Sequence, residues 1–405
     1  MTKKKYFLTI LILGTLSAIS PFSIDMYLPG FPAIARDLNT TVANVQLSLS
    51  SFFVGISVGQ LLYGPLLDRY GRKRPLYFGI TLYLLSSVGC VFAHSVESLI
   101  LYRFLQALGG CVGMVASRAM IRDLFPVSEI AKVFSLLMLV IGVSPLLAPT
   151  LGGYVTAIFG WQYVFIILTI MSALILAAVH FVLPESRVPD KTLSLKPRPI
   201  LTSFYKVLIN PQFYTYTFTG AIAASGLYAY IAGSPYVFME IFKVSEEQYG
   251  WIFAFIAVGI IGASQLNTIL LRRLKSEEII VGALFCQAIT GLILFLGAYY
   301  GFTGLGSTIF LIFIFLCCQG FSFPNSSALA LTPFSKNAGT ASALMGSIQM
   351  ALGAFASVMV SLLSNHTAIP MTAVMALCAV GSLVILLTGK KIIQSLSPKT
   401  LHEAK

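Results

Sequence analysis

Apolar runs of about 20 residues alternate with short polar connections along the whole chain. The runs fall at 6–29, 43–66, 76–95, 98–119, 132–155, 161–183, 212–234, 249–271, 278–299, 307–331, 340–363 and 369–389. Apolar positions follow one another without the in–out alternation of a lipid-facing strand, which excludes a β-barrel. A run of this length crosses about 30 Å of hydrocarbon as a helix. Backbone amides cannot stay unpaired in lipid, so helix is the one structure left to these runs. The pattern predicts an all-α integral membrane protein with twelve transmembrane helices.

The polar gaps are unequal. The longest, about 184–208, holds Pro184, Pro189, Pro197 and Pro199 and lies midway along the chain. It predicts a six-helix bundle over 1–183, a basic cytoplasmic linker over 184–211, and a second six-helix bundle with a short tail over 212–405. No segment is long and polar enough to fold separately in water.

Composition agrees: 57% of residues are hydrophobic and 10% are charged, against roughly 25% charged in soluble domains. The net charge of +12 does not point to nucleic acid, because the cations gather on one side of the predicted membrane. That side carries Arg69, Arg72, Lys73, Arg74, Lys132, Arg187, Lys191, Lys196, Arg198, Lys206, Arg272, Arg273, Lys275, Lys336, Lys390 and Lys391, while the other connections carry only Arg36 and Lys243. By the positive-inside rule both termini are cytoplasmic. Lys3-Lys4-Lys5 precede the first run without a convincing small-residue cleavage site, so that run reads as an uncleaved span. The six cysteines fall within apolar runs and read as small buried residues. The four histidines are scattered, and no metal site is expected.

One acid breaks the apolar rule. Of fourteen acidic residues, Asp25, in Ile24-Asp25-Met26-Tyr27-Leu28-Pro29, alone sits well inside a run. A charge at such depth costs about 2.5–3.5 kcal/mol on insertion scales. A proton-titrating site explains its presence better than packing does. Arg103, inside the fourth run, also needs a partner. At 1.5 Å per residue both lie roughly 10 Å beyond the midplane on the outer side, so the two charges can meet directly or through water. The alternative is that Arg103 bonds only backbone carbonyls of the first span. If the charges do couple, the proton affinity of Asp25 answers both to removal from water and to the position of Arg103.

The connection between the second and third spans, Gly64-Pro65-Leu66-Leu67-Asp68-Arg69-Tyr70-Gly71-Arg72-Lys73-Arg74, fits G-x-x-x-D-R-x-G-R-K. Gly64 permits close helix approach and Gly71 a tight turn. This loop resembles the signature loop of the major facilitator superfamily, and six spans plus six around a basic linker agree with that fold. Ile24 to Pro29 with Phe31-Pro32, and Ser117-Arg118-Ala119-Met120-Ile121-Arg122-Asp123, resemble the Bcr/CflA-type drug:proton antiporters.

The resemblance implies that Asp68 contacts the start of span 11, around Asn337 to Ser342, and that Arg72 pairs with Asp123. Together with Arg69 and Arg122 these residues would form a cytoplasmic latch. Arg103-Phe104-Leu105-Gln106 resembles the superfamily's R-x-x-Q-G, with Ala107 in the place of the glycine. In span 5 the positions Gly142, Pro145, Pro149 and Gly152, spaced 3, 4 and 3 apart, share one face, followed by Gly153. They resemble the antiporter motif, with Ser144-Pro145 in place of its central Gly-Pro, and imply a tight seam. Gly259 and Ala263 of span 8 are its expected neighbours.

A cavity between the halves near the midplane is expected to be lined by Tyr27, Gln60, Tyr228, Tyr230, Gln265, Gln319 and Asn325, aromatics for stacking and amides for hydrogen bonds; lipid-facing positions remain the bland alternative for each. The reading is a proton-coupled efflux antiporter of the bacterial inner membrane, acting on small drugs of bicyclomycin or phenicol type by alternating access. A proton is its coupling ion, no cofactor is implied, and it is expected to work as a monomer. A metabolite exporter or uptake symporter on the same fold is the alternative. A membrane-embedded enzyme is remote, since the sequence has no H-E-x-x-H and no nucleophile–base arrangement.

Overall fold

A computed structural model describes residues 3–190, 196–334 and 338–396, and all regular structure among them is helical. The first bundle is built from α1 (Lys3–Asp25), α2 (Phe31–Asp37), α3 (Val42–Tyr70), α4 (Lys73–Val91), α5 (Val96–Leu124), α6 (Val127–Phe159) and α7 (Gln162–Phe181). The linker contains α8 (Pro197–Leu208). The second bundle holds α9 (Pro211–Pro235), α10 (Glu246–Leu270), α11 (Ser276–Tyr300), α12 (Leu305–Leu331), α13 (Ala338–Leu362) and α14 (Ile369–Leu396).

The polar connections stop and start these helices by recognisable chemistry. Thr41, Ser95 and Ser245 cap α3, α5 and α10 by accepting from backbone N–H groups, and Ser95–Ser98 and Ser245–Gln248 close reciprocal capping boxes. Gly71, Gly160 and Gly301 end α3, α6 and α11 at positive φ, where a Cβ would be strained.

Eleven stretches of the described residues are long and apolar enough to cross a membrane, one fewer than expected. The twelfth place belongs to α9, which spans 25 residues but carries Thr215, Thr217, Thr219, Ser225 and Ser234. All five are buried against protein, chiefly α12, α13 and α14, so α9 does not need a lipid-facing coat. The first apolar run is not one helix. It stops at Asp25, passes through a 3-10 turn at Leu28–Gly30 and restarts as α2. Pro29 and Pro32 lack the N–H that would continue the ladder. Residues 26–30 are all buried, the condition under which irregular backbone is tolerated at membrane depth.

Within the first bundle α5 is central, packing on α1, α3 and α4; within the second, α9 packs on α12, α13 and α14. The bundles meet along two helix pairs, α3 with α13 and α6 with α10. Ser361 donates to the Ala43 carbonyl at 2.5 Å, Ser50 and Ser357 pair at 2.6 Å, and Ser57 donates to the Ser347 carbonyl at 2.9 Å. These bonds run from the end of the molecule near Asp25, here the Asp25 end, toward the middle. The opposite end, which carries the basic loops, is the basic end. There Gly64 of α3 and Gly339 of α13 each have no atom within 4 Å of the place a Cβ would take, so the halves part toward that end.

Candidate functional site

Asp25 ends α1 and is 5% exposed. It lies on the seam between the halves. Its carboxyl is within electrostatic reach of Tyr228 and Tyr230 of α9 and Tyr249 of α10. Tyr228 packs edge-on against Phe53 of α3, ring centroids 4.8 Å apart. Tyr230 stacks on Phe253 at 5.6 Å. The Tyr249 hydroxyl pairs with Ser234 at 2.8 Å. One acid of the first bundle therefore lies within electrostatic reach of three phenols of the second.

Arg103 does not form an ion pair with Asp25 in this conformation. It is wholly buried; Nη1 donates to Gln106 Oε1 at 2.5 Å and Nη2 to the Ser23 carbonyl at 2.8 Å. Its guanidinium lies 4.1 Å from the ring centres of both Tyr27 and Phe52. Ser23 is in the last turn of α1, where carbonyls lack helical partners and the helix dipole is negative. Arg103 thus takes the helix end that Asp25 terminates, and the aromatic faces supply the rest of its environment. Gln106 in turn donates to Ser87 at 2.7 Å, and Tyr83 pairs with Ser23 Oγ at 2.5 Å.

At the basic end Arg72 joins two elements of the first bundle. Nε donates to Asp123 at 2.8 Å and Nη1 to Asp68 at 2.9 Å. Burial opposes the Arg72 charge, but the bonds to Asp123 and Asp68 outweigh it and hold its proton more firmly than usual. Glu185 accepts from the backbone N–H of Arg72 at 2.7 Å and of Lys73 at 3.1 Å, fixing the start of α4. The Arg72–Asp123 pairing matches the expectation. The Asp68 contact with the start of span 11 is not formed among the described residues: Asp68 binds Arg72 and, at 3.0 Å, Arg187 of the linker. The halves are apart here and a nearer cation is available; Asn337 lies outside the described residues. Arg122 is exposed, and Arg69 lies half-buried over the Tyr70 ring. Gly71 is needed, at φ 81° against Glu185, whereas Gly64 makes no close approach.

The span-5 motif divides likewise. Gly152 abuts the Met26 carbonyl and Gly153 the Glu246 carbonyl of α10, with no room for a Cβ at either. Pro149 faces Gly250, to whose carbonyl Thr150 donates at 3.4 Å. Gly142 has open space around it and Pro145 is half-buried. The expected face of α10 is also corrected: Gly259 packs on Phe313 and Cys317, and Ala263 on Gly320, all of α12. The close approaches of α6 to α10 are those of Gly153 to Glu246 and of Pro149 to Gly250, so Glu246 and Gly250 take that role.

Of the expected cavity residues, Gln60, Tyr228 and Tyr230 lie at or beside the seam, whereas Tyr27 packs inside the first bundle against Phe31 and Phe165. Gln60 reaches Gly346 of α13, and Tyr27 bonds Ser48 at 3.2 Å beneath Arg103. Asn325 is occupied by Asn267 at 2.7 Å, Gln319 accepts from Ser322 at 3.4 Å, and Gln265 is exposed. Asn267 holds the buried position of α10 that Gln265 does not. Tyr249, Ser234 and Asn267 fall outside the sequence-based expectation, although Tyr249 and Phe253 lie on the α10 face marked by Gly250. The cysteines depart from the uniform burial expected: Cys286 is exposed, and Cys317 and Cys378 are intermediate.

Two helical bundles embedded in a membrane, closed on each other at one end and carrying an acid on the seam, define a transporter architecture. The chain belongs to the Major Facilitator Superfamily, whose sequence profile matches residues 13–358. It is 33% identical over 380 residues to the "Bicyclomycin resistance protein homolog" of Haemophilus influenzae, covering 94% of this chain and 95% of that relative. It is 32% identical over 333 residues to the "Multidrug resistance protein MdtL" of Escherichia coli, covering 82% of each. The crystal structure of a D-xylose-proton symporter superimposes with a TM-score of 0.73 over 94% of this chain and 97% of that one at 16% identity, a likeness of fold.

Proposed function

We propose that this chain exports small drugs in exchange for protons, with Asp25 as the proton-carrying group. The observation that carries the reading is the burial of Asp25 at the seam, where the second bundle presents Tyr228, Tyr230 and Tyr249 and, among the described residues, no cation pairs with the acid. A group so placed changes its surroundings whenever the bundles separate, which is the requirement for coupling a proton to alternating access. The relatives' names point to bicyclomycin-like antibiotics among other drugs, and phenicols belong to the same class of small uncharged molecules. The cations at the basic end support a cytoplasmic position for that end and for both termini, in a bacterial inner membrane.

The cycle follows from this placement. Asp25 takes a proton while its end is open to the outside. The neutral carboxyl then enters the seam at low cost, and the halves close over it and part at the basic end. The acid loses its proton to the cytoplasm, drug takes its place in the cavity, and the loaded bundle turns outward. Inward proton movement supplies about 2.3 kcal/mol per charge per 100 mV. Arg103, fixed to the last turn of α1, holds the acid's backbone in place and transmits any shift of that turn into the first bundle. Arg72, Asp68 and Asp123 organise the loop that closes against the second bundle when the basic end shuts. The protein acts as a monomer, needs no cofactor beyond the proton and catalyses no covalent step.

Everted vesicles energised with a proton gradient test the reading. Bicyclomycin or chloramphenicol should accumulate inside them, and an uncoupler should abolish the accumulation. Drug movement indifferent to the gradient, or gradient-driven movement of metabolites alone, would contradict it.

A further inference from the structure

The linker helix α8 carries an exposed apolar stripe beside the face that packs on the protein. Its inward face holds Ile200, Phe204 and Leu208, which are half-buried, and Val207, which is sunk in the cluster with Phe213, Tyr216 and Ile280. The adjoining face, about 100° round the helix, repeats every four residues: Leu201 is 64% exposed, Tyr205 64% and Ile209 54%. Arg198 and Lys206 stand exposed beside this stripe. A linker helix facing only water would show polar side chains there. The helix also ends at Leu208, just before Pro211 begins α9, so the chain holds it at the basic end, where the bundle leaves the membrane.

We propose that α8 is a surface helix that docks on anionic phospholipid headgroups of the leaflet at the basic end. Leu201, Tyr205 and Ile209 enter the boundary between headgroups and acyl chains, and Arg198 and Lys206 pair with headgroup phosphates. A narrow apolar face flanked by cations is the composition of helices that lie in a membrane interface. Tyrosine settles at that depth because its ring is apolar and its hydroxyl is polar. The charges favour lipid over a second copy of the chain, since pairing two α8 stripes about a two-fold axis would bring like cations together.

Full-length protein bearing Tyr205→Trp, reconstituted in vesicles of phosphatidylcholine with or without phosphatidylglycerol, tests this. The parent protein, which contains Trp161 and Trp251, supplies the background emission. In vesicles containing phosphatidylglycerol the added tryptophan should emit at shorter wavelength, be quenched by lipids brominated high on the acyl chain, and be shielded from acrylamide. Each cation near an anionic leaflet favours docking roughly fivefold, so Arg198→Gln should lower the ratio of docked to undocked helix by about that factor. Adding Lys206→Gln should lower it roughly 25-fold in total. Free access of acrylamide in both lipid compositions would overturn the proposal. Shielding that is indifferent to lipid but lost on dilution would assign the stripe to a second copy, and shielding indifferent to both would assign it to the chain's own surface. Leu201→Trp gives a second reporter should Tyr205→Trp fail to fold.

Discussion

The Arg103 guanidinium donates to the Ser23 carbonyl at 2.8 Å, two residues before Asp25. The cation that matches the embedded acid in depth is thus bound to the acid's helix end and not to its carboxylate. Removing it leaves the Ser23 carbonyl and Gln106 Oε1 without their donor in a buried site, each at about 1–3 kcal/mol, and takes the ion from between two ring faces. Arg103→Ala should lower the melting temperature in detergent markedly. Arg103→Lys should recover part of that loss while remaining defective in drug–proton exchange, because an ammonium cannot reproduce the forked bond. A melt equal to the parent's for Arg103→Ala would show that the guanidinium does not organise the end of α1.

Ser50 and Ser357 meet across the seam at 2.6 Å, close enough for a disulfide between cysteines placed there, whose Cβ atoms need to be about 3.5–4.5 Å apart. The pair Ser50→Cys with Ser357→Cys should cross-link on oxidation and stop transport, and reduction should restore it. Full transport by the oxidised, cross-linked protein would mean that the halves need not separate at the Asp25 end.

The two ends of the span-5 motif should respond differently to an added methyl group. Gly152 touches the Met26 carbonyl, while Gly142 has nothing within 4 Å of a Cβ. Gly152→Ala should destabilise the packing of α6 on the break after α1 by about 1–3 kcal/mol, as overpacking does, and slow transport; Gly142→Ala should be close to neutral. Equal effects in both variants, read by melting temperature and transport rate, would contradict this packing geometry.

Much of the fold could be read from apolar periodicity because the membrane leaves helices no alternative, and boundaries such as 212–234 against Pro211–Pro235 differ by a residue. The break after Asp25 was signalled by Pro29 and Pro32 but hidden by the continuity of the apolar run. Depth along a helix placed Asp25 and Arg103 at one level. It could not say whether the acid or the adjacent carbonyl would take the guanidinium, because both sit in the same turn. Rotation about a helix was harder still. Gln265 and Asn267 are two residues apart, and only packing against α12 decides that the asparagine is the buried one. The tyrosines within electrostatic reach of Asp25 belong to the other bundle, and no local pattern in either half records a contact made across the seam. The amphipathic α8 lay in a segment read as linker because four prolines obscured its period.

The most direct measurement is drug accumulation in everted vesicles containing the Asp25→Asn protein, driven by a proton gradient. The variant keeps the size and neutral state of the protonated side chain but cannot release a proton. It should still bind drug, with gradient-driven accumulation reduced to the level of vesicles lacking the protein. Accumulation at the parent rate, with the parent's dependence on pH, would contradict the assignment of Asp25 as the coupling group.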